Sequence, residues 1–99
     1  MSGRIVVRYR VRPDAAAENE RMIREVFAEL ASVRPAGFSY ESTVLSDGVT
    51  FVHVVEGDET AIRDLPAFQR FSSTVGERCE DPPVQSTARI VGSFEGRTS

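Results

Sequence analysis

Apolar and polar positions alternate from the start of the chain. Ile5, Val7, Tyr9 and Val11 interleave with Val6, Arg8, Arg10 and Arg12, and a period of two predicts a strand with one apolar face. Pro13 stops it, because proline cannot donate to a ladder, and Asp14 is placed to cap a helix. The period then changes. Met22, Ile23, Val26, Phe27 and Leu30 recur at spacings of one, three and four, the stripe of an amphipathic helix. Its outer side carries the opposite charges Glu20 and Arg24, and Arg21 and Glu25, four residues apart. Pro35 and Gly37 close it.

Phe38 to Leu45 predicts a second strand, weakened by its serines and threonine. The Asp-Gly pair at 47–48 marks a tight hairpin into a third strand, Val49 to Val55. That strand is apolar on both sides, with Phe51 and Val55 on one and Val52 and Val54 on the other. Such a strand belongs in the middle of a sheet covered on both faces. Asp58 is placed to cap a short helix through Asp64, and Pro66 fits the first turn of another helix, along which Phe68, Phe71, Val75 and Cys79 keep helical spacing. "EDPP" at 80–83 predicts a hard stop, followed by a fourth strand from Val84 to Phe94. The order β-α-β-β-α-β predicts an α+β, ferredoxin-like fold in which two helices cover one face of a four-stranded antiparallel sheet. Residues 1–95 form one domain on this reading, and 96–99 are a loose polar tail. The uncovered face of the sheet argues for a second copy, hence a homodimer.

Composition narrows the function. The chain has 99 residues and a formal net charge of −3. Its twelve basic residues are all arginines and are scattered, which argues against nucleic acid as a partner. One cysteine, Cys79, excludes an internal disulfide, and one histidine excludes a histidine-rich metal site. The expectation is no metal and no cofactor. The opening "MSGRIVVRYRV" lacks the apolar region of a signal peptide, and no apolar run is long enough for a bilayer span. A cytoplasmic protein with no membrane partner is expected.

In this order "VRYRVRPDAAAENERMIREVFAEL", "PAGFSYE", "FVHVVEGDETAI", "FQRFSSTVGERCEDPPV" and "ARIVGSF" resemble the antibiotic-biosynthesis monooxygenase family. The resemblance covers nearly the whole chain through soft patterns. It implies a homodimeric α+β barrel with a small-molecule pocket between sheet and helices in each subunit. Members include cofactor-independent quinone-forming monooxygenases and haem-degrading oxygenases. The haem-degrading members use an asparagine on the first strand, where this chain has Val7. They use a tryptophan at the end of the third, which falls near Val55 or Glu56. Their haem-ligating histidine falls around Leu65 or Phe68. None of these residue types is present at those positions, so the resemblance implies no haem degradation.

Three readings stand together: a cofactor-independent monooxygenase of an aromatic or polyketide-like substrate, a non-catalytic ligand-binding or stress-related dimer, and a small structural partner fused or docked to an enzyme. In the first, His53 is the candidate general base, since imidazole titrates nearest neutrality. Tyr9 would orient a small aromatic ligand, and Phe27, Phe68 and Phe71 would wall the pocket and exclude water. The alternative for His53 is a hydrogen-bonded core or interface residue. It shares a strand face with Phe51 and Val55, but a shift of one residue exchanges sheet faces, so the sequence leaves open whether that face meets the helices. Arg8, Arg10 and Arg89, with Glu41, are expected on the opposite face. Cys79 reads as packing.

Overall fold

The structure is a computed structural model that describes residues 4–96. Four strands, β1 (Arg4–Val11), β2 (Phe38–Val44), β3 (Thr50–Gly57) and β4 (Cys79–Ala88), form one antiparallel sheet in the order β2-β3-β1-β4. Among the described residues, three α-helices, α1 (Ala16–Val33), α2 (Thr60–Arg63) and α3 (Pro66–Arg78), accompany the sheet. This is the ferredoxin-like α+β arrangement. Buried apolar side chains, among them Tyr9, Val11 and Phe51 from the strands and Ile23, Val26 and Phe71 from the helices, meet in one core between helices and sheet.

The register explains which side chains face that core. Val7 lies opposite His53, Tyr9 opposite Phe51 and Ile5 opposite Val55. The apolar face of β1 and the His53 face of β3 are therefore the same face, and the helices cover it. Val6, Val52 and Val54 take the other side.

Several local expectations are corrected. Asp14 does not cap α1. A single 3-10 turn, Pro13–Ala15, comes first, and α1 starts without a side-chain cap, while the Asp14 carboxylate pairs with Arg12. Asp58 does act at the start of α2, where it accepts hydrogen bonds from the Thr60 amide and hydroxyl. The largest correction concerns β4. The chain leaves α3 at Arg78 and is extended from Cys79 onward, so "EDPP" lies inside the strand and residues 89–96 lie beyond it. Two facts reconcile proline with a strand here. β4 is an edge strand, and its register with β1 slips between the Arg8–Val84 and Arg10–Asp81 pairs. A bulge on an edge is where a missing N–H costs least. Arg89 consequently lies past the strand rather than on the sheet face. Arg10 is on that face and pairs with Asp81 and Glu80. Of the expected tail, 96–99, all but Gly96 lies outside the described residues.

Candidate functional site

A cavity of about 300 Å³ lies between the sheet and the α2–α3 segment, a volume at the lower end for small-ligand sites. Its walls are apolar: Ile5 and Val7 from β1, Val55 from β3, Ile62 from α2, and Phe68, Phe71 and Val75 from α3. The polar groups on it are few: Tyr9, Tyr40, His53, Ser72 and Gln85, with the ion-paired Glu59 and Arg63. The rings are packed together. Tyr9 stacks on His53 with centroids 5.3 Å apart, Tyr40 on His53 at 5.8 Å, and Phe71 tilts against His53 at 5.6 Å.

His53 is 3% exposed and both of its ring nitrogens are engaged. Nε2 lies 2.8 Å from the Tyr9 hydroxyl. Nδ1 lies 2.7 Å from the hydroxyls of both Tyr40 and Ser42. Burial pushes its pKa down to about 4, so the ring is neutral at neutral pH. Burial likewise raises Tyr9, partly offset by its hydrogen bond from Asn19. It carries Tyr40 up to about 12, partly offset by Ser42.

The network continues away from the cavity. Asn19 is fully buried on α1, and its Nδ2 donates to the Tyr9 hydroxyl oxygen at 2.9 Å. Its Oδ1 accepts from Arg78 Nε at 2.9 Å. Arg78 is 5% exposed. It also donates to Thr74 Oγ1 at 2.8 Å and lies over the Phe71 ring, 5.4 Å from its centroid. Among the described residues no carboxylate comes within ion-pair distance of it. A buried cation is ordinarily paired; here hydrogen bonds and a ring face take that place.

Of the residues singled out in the sequence, His53, Tyr9, Phe68 and Phe71 meet at this cavity. Phe27 does not. It stacks on the far side of Tyr40, at 4.9 Å, and lines a separate recess with Ile23, Ser42 and Phe51. Four participants escaped sequence reasoning: Asn19, Tyr40, Ser42 and Arg78. Two of them left a signal. Asn19 sits four residues before Ile23 and seven before Val26, on the apolar stripe of α1. Arg78 sits seven after Phe71 on the stripe of α3. A polar residue on a core stripe must find a buried partner. Cys79 is half-buried, and its thiol donates to the Val75 carbonyl. Among the described residues no three His, Cys, Asp or Glu side chains converge as a metal site. None of their helices is long and apolar enough to cross a membrane.

No family model matches the sequence, and no curated protein does. Solved structures do match in shape. A Nitrosomonas europaea protein described as an antibiotic biosynthesis monooxygenase superposes with a TM-score of 0.75 at 16% identity, over 91% of this chain and 90% of that one. A Caulobacter crescentus protein described in the same way gives 0.70 at 21%, over 92% and 91%. The fold is that of the antibiotic biosynthesis monooxygenases. A third match is a variant of SnoaB, a cofactor-independent oxygenase from Streptomyces nogalater, with a TM-score of 0.68 at 19% identity over 96% of this chain and 98% of that one.

Proposed function

We propose that the protein is a cofactor-independent monooxygenase that binds an electron-rich phenol in the cavity and draws off its hydroxyl proton through Tyr9 toward His53. The observation that carries this reading is the Tyr9–His53 hydrogen bond, 2.8 Å long, on the wall of a mostly apolar cavity. The fold shared with SnoaB supports it. Both imidazole nitrogens are occupied, so the imidazole acts through a hydroxyl. The ligand's O–H donates to the Tyr9 oxygen as the Tyr9 proton passes to Nε2. A phenol deprotonated in this way is electron-rich enough to react with dioxygen. For a phenol with a free position opposite its hydroxyl, one oxygen atom becomes the second quinone carbonyl and the other leaves as water. The substrate supplies all four electrons.

The proton transfer is uphill. With the phenol at its aqueous pKa of ~10 and the base near 4 it costs about 8 kcal/mol, and the burial that raises Tyr9 and Tyr40 acts on a bound phenol in the same direction. A turnover of about 10 s⁻¹ corresponds to a barrier of roughly 16 kcal/mol, so the transfer takes up at least half of it. The same depressed basicity favours a second reading, a ligand-binding protein without turnover, in which His53 only holds the two tyrosines.

Oxygen uptake with 1-naphthol separates the two. The monooxygenase takes up one dioxygen for each 1,4-naphthoquinone formed, and Tyr9→Phe lowers turnover by about 10²–10⁴, the usual worth of a proton-transfer group. Saturable binding of 1-naphthol and hydroxyanthrones with no oxygen uptake by either establishes the binding protein instead.

We further propose that a second copy covers the outer face of the sheet. There Val6, Val52 and Val54 are only half-buried and Val84 is 63% exposed. Past β4, Ile90, Val91 and Phe94 are 55%, 88% and 93% exposed. Arg8 and Arg10 share that face with the valines, and a second copy would bury the apolar side chains between them.

A further inference from the structure

The hydrogen-bond chain from Arg78 to His53 has a direction. Arg78 has only donors, so the atom of Asn19 facing its Nε at 2.9 Å is the acceptor Oδ1. That fixes the amide, which a lone asparagine could present either way, and turns Nδ2 toward Tyr9 at 2.9 Å. The Tyr9 oxygen therefore accepts from Asn19. Its own hydrogen needs an acceptor, and His53 Nε2 stands 2.8 Å away. Nε2 must then be the bare nitrogen, and the ring proton sits on Nδ1, donated to the Tyr40 and Ser42 oxygens.

We propose that Asn19 and Arg78 are positioning residues that set this direction, holding His53 as the Nδ1–H tautomer with Nε2 bare and turned to Tyr9. Resting on the phenol-oxidising reading, this supplies what that reading requires. The Tyr9 proton already points at its destination, and one lone pair on the Tyr9 oxygen stays free for the ligand's O–H. With the chain reversed, Nε2 would carry a hydrogen and could not receive one. The buried guanidinium without a carboxylate is then explained. A carboxylate in the place of Asn19 would neutralise it, but it has no N–H and would draw the Tyr9 proton to itself.

The chain contains a single histidine, so nitrogen NMR of ¹⁵N-histidine-labelled protein at pH 7 reads this tautomer from one ring. The wild type is expected to show a protonated Nδ1 and a bare Nε2. Asn19→Asp keeps the shape and gives Arg78 a carboxylate. The Tyr9 hydrogen then turns to the new carboxylate, the Tyr9 oxygen accepts from His53, and the ring proton moves to Nε2. A wild-type ring protonated at Nε2 overturns the proposal without any variant, so it stays testable even if Asn19→Asp does not fold. A folded Asn19→Asp with the wild-type tautomer overturns it equally. Neither result depends on oxygen uptake. Failure of the oxygenase reading with the expected tautomers leaves the positioning role standing, and the reverse outcome removes it alone.

Discussion

His53 is neutral because water is kept from it, and that carries a measurable cost in acid. Its folded pKa, about 4, lies below the unfolded value of 6.5. The unfolded chain therefore takes up the proton first. The stability associated with the neutral ring is fully present above pH 6.5 and is lost as pH falls from 6.5 toward 4. Each pH unit in that window costs about 1.4 kcal/mol. Thermal melts from pH 7.5 to 4.5 should show this slope in the wild type and its reduction in His53→Gln. Equal slopes would mean that the imidazole is hydrated. The residue was conspicuous in the sequence as a lone imidazole among valines, but its partners were not. Tyr9 and Tyr40 lie 44 and 13 residues away from it, and only the strand register brings them together.

At the level of elements, periodicity located β1, β2, β3, α1 and α3, each of which turns one face toward the same layer, but it misplaced β4, which is exposed along nearly its whole length and buries no face. It failed where tertiary context outweighs local signals. "EDPP" reads as a break, yet an edge strand with a bulge accepts both prolines. Asp14 has the chemistry of a cap and is drawn to Arg12 instead. Two glycines show how position decides. Gly57 ends β3 with φ +102, and a Cβ there would run into the Gly37 carbonyl oxygen, whereas Gly76, inside α3, faces open space. Gly57→Ala should destabilise the protein by more than about 1 kcal/mol, and Gly76→Ala should stabilise it by roughly 0.4–1 kcal/mol. Urea denaturation of the two variants measures both, and similar midpoints would contradict the stated backbone geometry.

For the whole molecule, the two-sided apolar character of β3 could be read from sequence, and it motivates the second copy. Sedimentation should give a species of twice 10.9 kDa, and Val54→Asp on the outer face should reduce it to a single chain that still melts cooperatively. A single-chain species in the wild type would leave the outer face to water. The cavity was less legible. A void depends on how α2 and α3 stand off the sheet, and an aromatic stripe at helical spacing does not distinguish a wall from a filled core. Phe68 and Phe71 line the void while Phe27 packs on the far side of Tyr40. The proposed oxidation requires a phenol to meet the Tyr9–His53 pair inside that cavity. The most direct test is a titration of ¹⁵N-histidine-labelled protein with 1-naphthol, with naphthalene as the ligand lacking a hydroxyl. The His53 ring signals should shift and saturate with 1-naphthol, and naphthalene should bind more weakly. Ring signals that stay fixed while 1-naphthol saturates the protein, or no binding up to millimolar ligand, would contradict it.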